Sequence, residues 1–304
     1  MSSIKIVSPD EIAKRPGAIP PLLFSNLTHL YTRRAERLRA LAEGHAFGDY
    51  LLFVASLVDA QANTLKRHPF TGDLTQTLAD AAEKGETPLS VHHFKRDAHW
   101  HTLLDSIITE LKPSASEHIA AVLNAIDALS ADEREAMADA LFKGDYASVG
   151  SDKAIFIWAA LSLYWSQMAH SLPGKAKADY GENRQFCPVC ESAPVGSMIH
   201  IGTEQGLRYL HCGLCETDWH MVRIKCSNCE KGDKLNYWSL DTEQATVKAE
   251  SCDNCHSYLK VFYQDKDPRV DIIADDLATL VLDAKMEAEN FARSAINPFL
   301  FPEK

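Results

Sequence analysis

Four Cys-x-x-Cys pairs constrain the fold of this chain more than any other feature of its sequence. The pairs are Cys187/Cys190, Cys212/Cys215, Cys226/Cys229 and Cys252/Cys255. Together they contain all eight cysteines of the chain. Two intervening residues let a tight turn aim both thiolates at one metal ion, and two such turns complete a tetrahedral four-sulfur site. Metal binding would then supply folding free energy to a stretch that is too polar to build a large core of its own.

The spacing of the pairs favours two sequential sites. The first and second pairs are 21 residues apart and the third and fourth are 22 apart, whereas only ten separate the second from the third. This pattern predicts a tandem duplication with two ligand sets: Cys187, Cys190, Cys212 and Cys215 in site 1, and Cys226, Cys229, Cys252 and Cys255 in site 2. A cross-braced or nested pairing is the alternative. A disulfide framework or four thioredoxin-type redox pairs is disfavoured by the expected compartment and by the missing βαβ pattern.

The first 180 residues predict an all-α domain. Apolar residues recur there at steps of three and four, as in the helix expected from Pro20-Pro21 to Gly44. The most apolar stretch, 154–169, is too short to span a bilayer, so we expect a buried core helix and no integral membrane segment. Arg33 and Arg34 are expected on a solvated helix face.

The pattern of apolar and polar residues changes beyond residue 180. Short alternating runs between 186 and 265 predict brief strands between turns, and the helical period returns from Val270. The acids Asp275 and Asp276 are expected to stabilise the start of that last helix through its dipole. The apolar tail 297–302 either docks on the body or forms a contact surface. The predicted fold is multidomain α+β, with a helical domain (1–180), a first metal module (181–222), a second metal module (223–266), and a C-terminal helix and tail (267–304) that pack on the helical domain.

The charge balance indicates the kind of partner. The chain has 42 acidic and 31 basic residues, a formal net charge of -11. Residues 181–265 contain twelve acidic and eight basic residues, a net of -4, and a divalent ion with four thiolates adds about -2 per site. Nucleic acid and anionic membranes would be repelled. We therefore expect a protein partner and disfavour a nucleic-acid-binding zinc ribbon.

No catalytic motif accompanies the cysteines. The chain has no G-x-G-x-x-G, Walker A, G-x-S-x-G or H-E-x-x-H sequence. No cysteine outside the pairs could act as a nucleophile, so we predict that the chain is not an enzyme. Its first 17 residues lack the apolar core of a secretory signal, which predicts a cytoplasmic location. The sequence leaves the oligomeric state open, including a homo-oligomer.

Histidines form one further cluster. His92, His93, His99 and His101 lie around Asp97, as ligands of another metal would. His99 and His101 cannot share one face of a helix, however. We therefore interpret the cluster as the start of a helix.

Several longer strings resemble a known family, the formate dehydrogenase accessory proteins FdhE. The resemblance covers nearly the whole chain. It is carried by residues 19–24 (IPPLLF), 33–38 (RRAERL), 48–51 (GDYL), 156–165 (FIWAALSLYW), 187–190 (CPVC), 208–212 (RYLHC), 237–241 (YWSLD) and 297–302 (NPFLFP).

The resemblance implies a cytoplasmic assembly factor and not a catalyst. Proteins of this family are required for active respiratory formate dehydrogenase and contact its catalytic subunit before export by the twin-arginine route. Their cysteine pairs form rubredoxin-like iron sites, which correspond to all eight cysteines here. The implied cofactors are two metal ions, with iron favoured by the resemblance and zinc as the alternative. A rubredoxin-like electron carrier or thiol-redox protein is the alternative function.

This sequence departs from rubredoxin-type turns at one position in each pair. Such turns place glycine directly after the second cysteine. The residues found there are Glu191, Glu216, Glu230 and His256. The ligand set is unaffected, but the sequence leaves the geometry of these turns and the metal preference open.

Overall fold

The computed structural model describes residues 19–172, 185–202, 205–240, 242–294 and 296–302. Its helices are α1 (Leu27–Ala42), α2 (Gly48–Arg67), α3 (Thr75–Lys84), α4 (His99–Leu111), α5 (Glu117–Asp127), α6 (Ala131–Phe142), α7 (Tyr146–Val149), α8 (Ser151–Ser171), α9 (Ile272–Leu277) and α10 (Leu280–Ala288), with a 3-10 turn at Lys112–Ser114. Its strands are β1 (Leu22–Phe24), β2 (Pro194–Ile199), β3 (Arg208–Cys212), β4 (Thr217–Met221), β5 (Leu235–Trp238), β6 (Val247–Cys252), β7 (Ser257–Tyr263) and β8 (Ala292–Arg293). The predicted boundary at residues 180 and 181 lies outside the described residues. Among the helices described, none has the length and apolar character needed to cross a bilayer.

Helix α8 forms the centre of the helical N-terminal region. It packs against α2, α4, α5 and α6, and residues 154–157 and 159–169 are all buried. Two of its polar side chains bond to groups inside the bundle. Tyr31 and Ser166 share a hydrogen bond of 3.0 Å, and the Gln167 side chain accepts one from the Phe70 amide at 2.7 Å. The prediction of a buried core helix at 154–169 is confirmed.

A short strand replaces the predicted start of the first helix. The helix expected from Pro20-Pro21 begins only at Leu27, where the Asn26 side chain caps it. Before it, β1 pairs antiparallel with β4, placing Leu22 opposite Trp219. This partner lies almost 200 residues away, and local periodicity carries no information about it. The pairing joins the helical region to one edge of the sheet.

The sheet-rich C-terminal part contains two copies of one three-stranded unit. Strands β2, β3 and β4 form the first and β5, β6 and β7 the second, each antiparallel. The first two strands of each unit have the same register relative to the cysteines. Pro194 lies opposite Cys212 in the first unit, and Leu235 lies opposite Cys252 in the second. Parallel pairing of β2 with β7 joins them into one sheet of order β1-β4-β3-β2-β7-β6-β5, and β8 pairs with β7. The duplication predicted from cysteine spacing is therefore present in the strands, although the two units share a single sheet.

The predicted C-terminal helix is two short helices. The ammonium group of Lys260 accounts for the break, because it donates to the carbonyl oxygens of Asp276 (2.9 Å) and Thr279 (3.1 Å). In one continuous helix those carbonyls would accept from amides four residues later. The expected contact with the helical region is present, since α9 packs on α1 as well as on β2.

The C-terminal tail docks on the body. The Asn297 side-chain amide donates to Ile273 O at 3.0 Å and to Asp276 Oδ2 at 2.8 Å. Phe299 and Phe301 are 2% and 6% exposed, and burial of such a side chain stabilises by roughly 1.5–3 kcal/mol. Of the two roles expected for the tail, docking is the one observed.

Candidate metal centres

The structure brings the eight cysteines together as two groups of four, in the sequential pairing. In site 1, the sulfurs of Cys187 and Cys215 lie 3.5 Å apart and those of Cys190 and Cys212 lie 3.4 Å apart. In site 2, the sulfurs of Cys226 and Cys255 lie 3.8 Å apart and those of Cys229 and Cys252 lie 3.6 Å apart. All four sulfurs of each group lie within 4.8 Å of one another, and all eight cysteines are free of disulfides. A tetrahedral ion with metal–sulfur bonds of about 2.3 Å sets its sulfurs about 3.8 Å apart. Each group therefore has the dimensions of a four-coordinate site.

Each Cys-x-x-Cys turn ends in a left-handed residue. The residues and their φ angles are Glu191 (63°), Glu216 (57°), Glu230 (62°) and His256 (52°). Each of their amides donates to the carbonyl of the first cysteine in its pair, at 2.8 to 3.1 Å. A residue with a Cβ adopts this conformation at a cost of about 1–2 kcal/mol. The turns thus have the conformation for which glycine is usual, although none of them contains glycine there.

Glu216 shows what a side chain gains at this position. Its two oxygens accept from Nη1 and Nη2 of Arg34 at 2.7 and 2.8 Å, and both side chains are 2% exposed. His211 Nε2 is a further partner at 3.0 Å. Burial alone would raise the pKa of the Glu216 carboxyl, but the charges and hydrogen bonds of Arg34 and His211 outweigh it and lower that pKa to about 2. The pair joins site 1 directly to α1.

The expectation that both Arg33 and Arg34 face solvent is wrong for Arg34. Arg33 is exposed, but Arg34 is buried and also contacts Asp271 at 3.2 Å. Arg37, one turn later, contacts Asp275 and Asp267. Arg34 and Arg37 of α1 therefore hold α9 and the segment that leads into it.

A second set of contacts joins the other turn of site 1 to the helical region. The amides of Leu89 and Val91 donate to the carbonyls of Val189 and Cys190 at 3.1 and 3.0 Å. Ser90 donates to the Glu191 carboxylate. These two backbone hydrogen bonds join the α3–α4 connection to the Cys187–Cys190 turn.

The electrostatics of site 1 favour a bound cation. Burial raises the pKa of the Cys187, Cys212 and Cys215 thiols above the ordinary value. Only a positive charge at the centre could keep four buried thiolates ionised together. The backbone already offers support to the sulfurs, since the amides of Leu214 and Cys215 lie 3.4 Å from the Cys212 sulfur. The residues present fit a metal ion.

Site 2 has the same arrangement with less cover. Burial raises the pKa of Cys226 to about 12. For Cys255, hydrogen bonds with Ser257 outweigh the burial and lower the pKa to about 7, and its sulfur lies 3.1 Å from the Ser257 hydroxyl. The Asn228 amide donates to the Cys226 sulfur at 3.4 Å. The contact of Cys255 with Ser257 corresponds to that of the Cys215 sulfur with the Thr217 hydroxyl in site 1, at 3.3 Å, as expected for duplicated units.

Other candidate groups have structural roles. His99 opens α4, where its amide donates to Asp97 at 2.8 Å, and the His101 ring contacts Glu135 at 2.9 Å. Within the described ranges, the two groups of cysteines are placed closely enough to hold a metal ion, and these histidines belong to no such group. The interpretation of the histidines as a helix start is confirmed.

The acids Asp275 and Asp276 do more than stabilise a helix start. Asp275 forms an ion pair with Arg37 at 2.5 Å. Asp276 is fully buried and contacts Lys260 at 3.1 Å and Arg293 at 2.5 Å. Burial raises the pKa of Asp276, but these two cations outweigh it and the net pKa is lowered. The sequence showed the acids without showing their partners, which lie on other elements.

A large apolar groove of about 1480 Å³ lies between α2, α5, α8 and the tail. No cysteine lines it. The Phe301 side chain lines this groove and also the space beside Gly213 in the Cys212–Cys215 turn. The groove and site 1 are thus separate features that share the tail.

The fold and the two clusters define a class of protein: a helical region joined to a duplicated sheet unit in which two groups of four cysteines could each hold a metal ion. Family models described as FdhE, N-terminal, FdhE, central domain, and FdhE, C-terminal domain match residues 19–182, 186–223 and 224–300. The chain belongs to the FdhE family.

Similar proteins match over nearly their full length. Protein FdhE of Salmonella enteritidis PT4 (strain P125109) is 60% identical over 304 residues, which are 99% of this chain and 98% of the relative. Protein FdhE of Escherichia coli (strain K12) is 58% identical over 304 residues, with the same coverage. The crystal structure of the FdhE protein from Pseudomonas aeruginosa superimposes with a TM-score of 0.87 at 36% identity, covering 94% of this chain and 100% of that one.

Proposed function

We propose that this chain is a cytoplasmic assembly factor for respiratory formate dehydrogenase and that it binds the catalytic subunit before export. Membership of the FdhE family over almost the whole chain, with both four-cysteine groups assembled, is the observation that carries this proposal. In this role the chain is a binding protein and catalyses no reaction. The net charge of -11 supports a protein partner rather than nucleic acid.

Each cluster holds one metal ion in this proposal. Site 1 uses Cys187, Cys190, Cys212 and Cys215, and site 2 uses Cys226, Cys229, Cys252 and Cys255. The family resemblance favours iron in rubredoxin-like surroundings, and four thiolates also suit zinc. A bound iron ion would add the capacity to exchange one electron, which zinc lacks. The residues of the chain supply the four thiolates, the amide donors to sulfur and the ion pairs that fix the turns.

A cell-based comparison tests the function. Cells that lack this chain are complemented with the wild-type chain, with Cys187→Ser, or with the matched control Lys231→Ser, which changes an exposed residue beside site 2. We expect formate dehydrogenase activity only with the wild-type and control chains. An N-terminal affinity tag avoids the buried tail, and the catalytic subunit should co-purify with the tagged wild type. Normal activity in cells without the chain would refute the proposal.

The partial exposure of Cys229 and Cys255 favours one second candidate, a rubredoxin-like electron carrier. An electron carrier needs its redox centre near the surface. Anaerobic purification, metal analysis and a redox titration distinguish the two functions. Reversible one-electron titration of site 2 supports the carrier, whereas zinc in both sites excludes it.

A further inference from the structure

The two clusters differ in how completely the protein covers them. Cys187, Cys190 and Cys212 are fully buried and Cys215 is 2% exposed. In site 2, Cys226 and Cys252 are buried, but Cys229 and Cys255 are partly exposed. The ligand sets and turn conformations are the same in both sites. The difference therefore arises from what packs around each site.

Site 1 is enclosed by the helical region and the tail. The indole of Trp158 on α8 donates to Gly213 O at 3.1 Å. A Cβ built on Gly213 would lie 2.3 Å from Val195 and 3.6 Å from Pro298 of the tail, so β2 and the tail pack closely on this turn, and none of the four cysteines lines the pocket beside it. The Arg34–Glu216 pair closes the side facing α1. Access to these sulfurs would require the helical region and the sheet to separate.

Site 2 lies where the sheet faces solvent. Residues 231–234, which follow its first turn, are all exposed, as are Asp253 and His256 in its second turn. Glu230, which directly follows the second cysteine of the first turn of site 2, pairs with Lys225, and these side chains are 34% (Lys225) and 27% (Glu230) exposed. A small solute can therefore approach the edge formed by Cys229 and Cys255 without any change of fold.

We propose that site 2 is a labile metal site that exchanges its ion with small thiolate or chelating ligands, whereas site 1 retains its ion as long as the protein stays folded. This inference rests on the proposed metal binding. An incoming thiolate bonds to the ion as the thiolate of Cys229 or Cys255 leaves it, and repetition of this step transfers the ion. No electron is transferred and the ion keeps its charge. The exposed edge decides the rate, because exposure governs the access of a competing ligand.

Zinc release from the full chain tests the inference. The chain is loaded with zinc, the number of ions is counted by native mass spectrometry, and release to the colorimetric chelator pyridylazoresorcinol is then followed. We expect two phases of one ion each, with rates that differ at least about tenfold. Cys255→Ser should remove the fast phase and Cys215→Ser the slow one. Two bound ions released at one rate, or a fast phase that disappears in Cys215→Ser, would overturn the inference while leaving metal binding intact. Fewer than two bound ions would instead contradict the metal sites themselves.

A second measurement needs no substitution and holds even where a cysteine variant fails to fold. The zinc-loaded wild type is treated with limiting N-ethylmaleimide, and modified cysteines are identified by mass spectrometry. Cys229 and Cys255 should be labelled before the four cysteines of site 1. Equal labelling of both sites, or earlier labelling of site 1, would overturn the inference.

Discussion

Replacing the left-handed residue of a Cys-x-x-Cys turn with glycine should lower the stability of the protein at Glu216 in site 1 and leave it nearly unchanged at Glu230 in site 2. Glu216 and Glu230 each directly follow the second cysteine of a turn, with φ angles of 57° and 62°. Glycine relieves a conformational cost of about 1 kcal/mol at either position. The two glutamates differ in their partners, and that difference sets the outcome.

In Glu216→Gly, the stability lost with the Arg34–Glu216 ion pair exceeds the backbone strain that glycine relieves. Arg34 and Glu216 are each 2% exposed, and removing one member of a buried ion pair typically costs about 3–5 kcal/mol because the other charge stays buried. The remaining contact of Arg34 with Asp271 compensates only in part. After subtracting about 1 kcal/mol of relieved strain, the free energy of unfolding should fall by about 2–4 kcal/mol.

Glu230→Gly is the matched control. Its pair with Lys225 is partly exposed, and such pairs contribute about 0–1 kcal/mol. Loss and relief nearly cancel, so the free energy of unfolding should stay within about 1 kcal/mol of the wild type. Both variants are compared by urea unfolding, followed through tryptophan fluorescence, on protein that carries two ions per chain. If the two variants were equally stable, the Arg34–Glu216 pair would not hold site 1 to the helical region, and the reasoning would be refuted.

Three further predictions concern the metal count and the cover of site 1. Cys215→Ser and Cys255→Ser should each lower the metal content from two ions to one, as measured by native mass spectrometry; loss of both ions from a single substitution would contradict the sequential pairing. Gly213→Ala should lower the free energy of unfolding by about 1–3 kcal/mol, because the new methyl group overlaps Val195, and an unchanged urea midpoint would show that the turn has room. Phe301→Ala should lower the free energy of unfolding by about 3–5 kcal/mol because the ring is buried. The control Leu300→Ala changes a side chain that is 37% exposed and should lower it by under about 1 kcal/mol. Equal losses in the two variants would indicate that the tail is not docked in solution.

Local sequence patterns predicted the features whose causes are local. The spacing of the cysteines predicted two sites and their duplication, because a Cys-x-x-Cys turn depends on only a few consecutive residues. The continuous apolar stretch at 154–169 predicted a buried helix for the same reason. The residues after each second cysteine were also recognisable as exceptions to the usual glycine, and all four are left-handed in the structure.

Features that depend on distant partners were not predictable. Nothing near Arg34 shows that it pairs with a carboxylate 182 residues later, so its burial contradicted the expected solvated face. Strand β1 and the break after α9 have the same origin, since β4 and Lys260 supply the hydrogen bonds that local periodicity would assign to a helix. The two sites also differ in how completely they are buried because different elements pack around them. The spacings between the cysteine pairs are nearly equal in the two sites and contain no information about this packing.

X-ray absorption at the metal edge, combined with a count of ions per chain, determines both the ligands and the occupancy of the two cysteine sites. We expect two ions per chain, each surrounded by four sulfur atoms at about 2.3 Å. Cys187→Ser and Cys226→Ser should each leave one ion with an unchanged four-sulfur environment. A single ion per wild-type chain, or nitrogen ligands from nearby histidines such as His211, would contradict the assignment of two four-cysteine metal sites.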